Sequence, residues 1–155
     1  MTQADRAAYV DALRMLARRE LSEAQVRQRL LRRGHAADAV EAAVTRLREE
    51  RAIDDVRVAE VIARTQTSLK GRGELRVRRH IEQAGIAPAT ARRVARDTFT
   101  AIDADELIEA SLRKRLRGRA RVADEAEFRR LYRYLIGQGF EPDRVMSALN
   151  RHKRR

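Results

Sequence analysis

The chain has no cysteine and no tryptophan, only two prolines and seven glycines among 155 residues, and aromatic residues make up 4% of it. Without cysteine there are no disulfides, no thiolate metal sites and no cysteine nucleophile. No apolar run approaches the roughly 18 residues that a membrane span requires. The opening "MTQADRAAYVDALRML" has an early Asp and no apolar core, which is not the pattern of a signal peptide. A soluble cytoplasmic protein is the expectation. Segments of alternating hydrophobicity are also missing. Ala, Arg, Leu and Glu dominate instead, so the expected fold class is all-α.

Charge is abundant and unbalanced. Lys and Arg number 35 against 23 Asp and Glu, a net charge of +12. Such a surplus points to a polyanionic partner: DNA, RNA or an acidic protein surface. Two segments concentrate it. Between Arg64 and His80 stand Arg64, Lys70, Arg72, Arg76, Arg78 and Arg79, opposed only by Glu74. Between Arg113 and Arg121, "RKRLRGRAR" contains no acid at all, and the tail "RHKRR" adds more cations.

A hidden repeat organises the chain. Val26, Leu30, Gly34, Val40 and Val44 recur 51 residues later as Val77, Ile81, Gly85, Ala91 and Ala95. They recur 54 residues further on as Leu131, Leu135, Gly139, Val145 and Leu149. Repeats of this length are typical of stacked helical units. In each copy an i, i+4 apolar pair marks one helix face, and a glycine four residues later ends that helix in the left-handed conformation. The residue after the glycine (His35, Ile86 or Phe140) folds back on the helix end. Pro88 and Pro142 then suit the first turn of a following helix.

An additional helix precedes each pair, with expected core positions Leu13, Leu16 and Ala17 in the first copy. The second has Ala59, Ile62 and Ala63, and the third Leu107, Ile108, Leu112 and Leu116. The reading is nine helices in three tandem three-helix repeats, residues 1–53, 54–100 and 101–155, forming an elongated curved array. Asp54 and Asp55 are expected to cap the entry to the second repeat. "RGRARVADEAEF" reads as a mobile charged connector.

The stretch "LKGRGELRVRRHIEQAGI" contains a Gly-x-Gly, but no strand precedes it and no Gly-Lys-Ser/Thr follows, so it is not a nucleotide loop. Gly71 and Gly73 are expected to form a tight turn with Arg72 on its outside. Arg79 lies about 200° round the helix from the core residue Val77 and should face outward. No catalytic constellation is present. His35, His80 and His152 are widely separated and have no metal-ligand spacing, and the serines lack a neighbouring base. Neither cofactor nor metal is expected. Tyr132 and Tyr134 are expected to pack between helices, with stacking on a base as the alternative.

The central segment "AIDDVRVAEVIARTQTSLKGRGELRVRRHIEQAGI" resembles the core motif of the RecX family, regulatory proteins of the recombinase RecA. Asp54, Asp55, Arg57, Ala59, Arg64, Lys70, Gly71, Gly73, Arg76, Val77, Ile81, Gly85 and Ile86 occupy the motif's places. Val58 stands where the family usually has Phe, and Glu74 where it often has Pro. "LRMLARRELSEAQVRQRLLRRG" and "RLYRYLIGQGFEPDRVMSAL" are similar to the family's opening and closing units, so the resemblance covers about residues 7–150. It implies three tandem three-helix repeats and a regulator of RecA; a non-enzymatic protein is expected, and a monomer is the expectation for its oligomeric state. Such a protein binds RecA and its filaments on single-stranded DNA, and damps strand exchange, ATP hydrolysis and co-protease activity.

Charge and helix face nominate Lys70, Arg72, Arg76, Arg79, Arg113, Lys114, Arg115, Arg129 and Arg133 as contacts to RecA or DNA. Lys70 and Arg76 also match the motif. The alternative is a sequence-tolerant DNA-binding module in which each three-helix unit acts like a helix-turn-helix and binds naked duplex tightly without RecA. An RNA-directed scaffold rests on charge alone.

Overall fold

The computed structural model describes residues 1–153, so Arg154 and Arg155 of the basic tail lie outside the described residues. Nine α-helices are found among the described residues, in three groups of three. They are α1 (Gln3–Leu16), α2 (Glu23–Arg32) and α3 (Ala37–Glu49); α4 (Asp55–Arg64), α5 (Glu74–Gln83) and α6 (Pro88–Ala101); and α7 (Ala104–Leu116), α8 (Glu125–Gly137) and α9 (Pro142–Arg151). A π-helical turn, Thr65–Leu69, extends α4. The array is all-α, as the composition predicts.

Each group closes over its own small core. Val26, Leu30, Val40, Val44 and Leu47 are buried in the first, Val77, Ile81, Ala91 and Ala95 in the second, and Leu131, Leu135, Val145 and Leu149 in the third. These are the recurring positions of the sequence. Gly34, Gly85 and Gly139 all have positive φ, and the chain returns at once. The His35 N–H reaches back to the Leu30 carbonyl at 3.2 Å, and the Phe140 N–H to the Leu135 carbonyl at 3.3 Å.

Some details depart from the sequence reading. In α1 the buried stripe is Ala8, Ala12 and Met15, whereas Leu13 and Ala17 are exposed and Leu16 is half-buried. Small alanines on this face let α1 lie close against α3, whose Ala39 and Ala43 are buried in the same core. The segment after α7 is anchored rather than mobile. Val122 is buried and its N–H donates to the His152 carbonyl at 2.9 Å, Arg121 reaches the Lys153 carbonyl at 2.8 Å, and Arg119 pairs with Glu127.

The aspartate pair divides its work. Asp54 caps α4 by accepting from the Arg57 N–H at 3.1 Å. Asp55 instead accepts from the Glu23 N–H, the first residue of α2, at 2.9 Å. It therefore joins repeats rather than opening one.

The middle helices α2, α5 and α8 meet end to end. At the first junction the buried Ser22, N-cap of α2, donates to the Ala84 carbonyl at the end of α5. The α-carbon of Gly85 approaches Ala24 so closely that an added Cβ would lie 2.5 Å from the alanine methyl. At the second, the Gly73 N–H donates to the Gln138 carbonyl at 2.8 Å and the Leu75 N–H to the Gly139 carbonyl at 3.1 Å. At the second junction, backbone donors of one helix start thus satisfy acceptors at the next helix end, and at the first the Ser22 hydroxyl does so, with aligned dipoles at both. The series stops at Gly34, where an added Cβ would meet nothing within 4 Å and Arg32 and Arg33 are exposed. A charged outer face is what a terminal repeat needs for solubility.

Candidate nucleic-acid and protein interface

The second junction also positions the basic residues. Gly71 takes φ 60°, which turns the chain between the π-helical turn and α5. Gly73, in ordinary extended backbone, is there for a different reason: a Cβ on it would sit 2.5 Å from the carbonyl carbon and oxygen of Gly139.

With the turn seated this closely, Arg72 is not on its outside. It is half-buried, and its Nη1 donates to Gln138 Oε1 at 2.6 Å. Arg76 likewise donates through Nη1 to the Gly137 carbonyl at 3.0 Å. Both arginines therefore tie the second repeat to the third. Their remaining guanidinium donors are what a ligand can use.

Arg79 and Lys70 are exposed, as helix geometry predicts for Arg79. Arg78 is engaged by Glu82 at 3.2 Å. Burial, then Arg72 and Arg79, lower the Arg76 pKa, while the Tyr134 oxygen lies near enough to oppose them. The same crowding acts on His80. Burial first, then Arg76, Lys70, Arg72 and Arg79, push its pKa below the usual value of 6.5.

Tyr134 is the link to the third repeat. Arg115 lies over its ring, with the guanidinium carbon 3.6 Å from the centroid. Around this pair runs a groove of about 530 Å³ lined by Ser111, Lys114, Arg115, Arg117, Arg119 and Tyr134. Arg113, Lys114 and Arg115 are exposed on the last turn of α7, with Arg117 exposed just past it, where cations suit the negative end of the helix dipole.

Two basic runs that lie some forty residues apart in sequence thus converge on one track. It passes from Lys70 and Arg79 through Arg76 and Tyr134 to Arg115 and Lys114. Arg129 and Arg133 are exposed on the stripe of α8 that faces away from Leu131 and Leu135, to one side of this track. Among the described residues, none of the nine nominated cations forms an ion pair.

Three contributors escaped the sequence reading. Arg130 lies four residues before Tyr134 and so shares its face, whereas Arg129 and Arg133, nominated by charge and helix face, do not. Arg117, in left-handed backbone with φ 50°, enters the groove because the helix ends there. Leu69, at the end of the π-helical turn, is 81% exposed beside Lys70. The described part of the tail is engaged: Arg151 and His152 both meet Glu109, at 3.0 and 2.7 Å, and Lys153 lies 3.4 Å from Glu125. No group of His, Asp and Glu that could hold a metal is present among the described residues. Nor is any described helix long and apolar enough to cross a membrane.

Comparison with known proteins agrees with this architecture. Residues 8–47 match the model of the first three-helix domain of RecX. The regulatory protein RecX of Halorhodospira halophila is 35% identical over 138 residues, 88% of this chain and 83% of the relative. That of Acidithiobacillus ferrooxidans is 34% identical over 144 residues, covering 93% and 89%. The crystal structure of RecX from Lactobacillus salivarius superposes with a TM-score of 0.76 at 18% identity, covering 97% of both chains. A second RecX crystal structure gives 0.77 at 22% identity, over 95% of this chain and 71% of the other. With relatives above 30% identity along nearly its whole length, and the same arrangement of helices, the chain belongs to the RecX family of regulatory proteins.

Proposed function

We propose that this protein binds RecA and its filaments on single-stranded DNA, and that it mainly inhibits their recombinase, ATPase and co-protease activities as a monomer in the cytoplasm. Family membership supports the regulatory role. The observation that carries the mechanism is the unpaired basic track joined at Tyr134.

A filament groove offers phosphates and acidic protein surface along one path. A rigid array with cations on successive repeats matches that path, because end-to-end junctions hold the charges at fixed spacing. Lys70, Arg79, Arg113, Lys114 and Arg115 supply contacts to phosphate or carboxylate, with Arg129 and Arg133 alongside. Arg72 and Arg76 contribute their remaining donors while holding the junction. Leu69 offers an apolar contact to protein at the edge of the track.

The test is RecA's ATP hydrolysis on single-stranded DNA with this protein added well below one copy per RecA. A fall in rate, not matched by an unrelated basic protein, is the expected outcome. An unchanged rate together with tight binding to bare duplex DNA would replace this reading with a DNA-binding module that needs no RecA.

A further inference from the structure

Beside the basic track, between the first and second repeats, lies an open cleft of about 320 Å³. Its walls are Val61, Ile62 and Ala84, and polar groups come from Gln25, Gln66, Gln83, Thr65 and His80. Apolar walls with a few convergent hydrogen-bonding groups are the usual build of a small-ligand site. The floor is unusual. Gln66 is 7% exposed, and its Oε1 is buried without a hydrogen-bond partner. An unmet buried acceptor of this kind is costly. It sits on the π-helical turn, an irregularity found often at functional sites. The cations around the adjacent His80 (Arg76, Lys70, Arg72 and Arg79) bring phosphate-binding charge to the rim of the same cleft.

We propose that this cleft receives one base of a single-stranded nucleic acid whose backbone follows the basic track, and that the Gln66 amide, turned into the cleft by rotation of its side chain, reads the base through its exocyclic amine. The proposal rests on the reading of the track as a nucleic-acid path but does not require RecA. An amide side chain can pair with the amine edge of adenine. The ring would lie against Ile62 and His80, the phosphates against Lys70 and Arg79.

The experiment compares two short labelled thymidine strands by fluorescence anisotropy without RecA. One carries central adenines. The other carries purine, which stacks alike but lacks the amine. The expected result is roughly fivefold tighter binding of the adenine strand, the value of one hydrogen bond. In Gln66→Leu the two strands should bind equally, at the affinity of the purine strand for the unaltered protein. Gln83→Ala, at the exposed rim, gives a partial loss and serves if Gln66→Leu does not fold. Lys70→Glu with Arg79→Glu should weaken both strands alike.

Equal affinity of the two strands for the unaltered protein would overturn the site. The orphan oxygen would then be left to Arg72, whose buried Nε also lacks a partner. Binding of neither strand would overturn the nucleic-acid reading of the track as well. Gln66→Leu that spares strand binding but weakens capture of RecA would assign the cleft to protein instead.

Discussion

Gly73 and Gly139 lie backbone against backbone, so that no side chain fits on Gly73 without displacing the chain of the third repeat. The contact joins the start of α5 to the end of α8, and two N–H to carbonyl hydrogen bonds run across it. Gly73→Ala should therefore cost at least about 2 kcal/mol, in the range of overpacked or strained sites. Gly34 provides the control. It has positive φ but open space around it, so Gly34→Ala should cost only the left-handed strain, about 1 kcal/mol. Urea unfolding of the two variants checks the order, and equal losses would remove the junction from the account of stability.

Ser22 does two jobs in one buried position. Its hydroxyl accepts from the Gln25 N–H at 3.1 Å and donates to Ala84 across the first junction. Ser22→Ala should lose about 1–2 kcal/mol, since a cap and a buried partner are removed together. Replacement of Thr2, an exposed cap of α1 with no partner in another repeat, should cost less. Thermal unfolding of both variants measures the difference.

The basic track separates function from folding residue by residue. Arg79→Glu and Lys114→Glu change exposed, unpaired cations, so they should weaken RecA inhibition by an order of magnitude or more while unfolding temperature stays unchanged. Arg76→Glu should weaken inhibition and also lower stability, because it loses the Gly137 carbonyl. Circular dichroism melts run beside the ATPase assay would expose the split. Full inhibition by Arg79→Glu combined with Lys114→Glu would exclude the track as the binding surface.

Two histidines should pull acid stability in opposite directions. His80 has a lowered pKa, from burial first and then from the surrounding cations. Below about 6.5 the unfolded chain takes up more protons at this residue than the folded one, so stability falls as pH falls. His152 has a raised pKa, first because it donates to the Ala120 carbonyl and then because of Glu109. Its contribution is fully present below about 6.5 and is lost as pH rises through the folded value. Melting temperature measured on both sides of the usual histidine value should rise at the acid end in His80→Asn. It should drop there in His152→Asn.

Much of this protein was legible from its residues. The i, i+4 apolar pairs, the glycine four residues after each and the prolines beyond two of them act within one or two helical turns, so they specify helices, their ends and their buried faces locally. Three-fold recurrence of those signals carried the repeat architecture, and the central motif carried the family. What the residues did not disclose depends on groups far apart in the chain. Arg72 looked like an outward side chain on a turn, because nothing near it in sequence announces Gln138. Asp55 looked like a second cap for its own helix, yet the N–H it meets belongs to Glu23. Tyr134 joined two basic runs only once α5, α7 and α8 were packed together. Helix ends leave donors and acceptors unsatisfied, and local sequence states that they exist. Which end satisfies which is decided by backbone approach at Gly73, Gly85 and Gly139, and therefore by the tertiary structure alone.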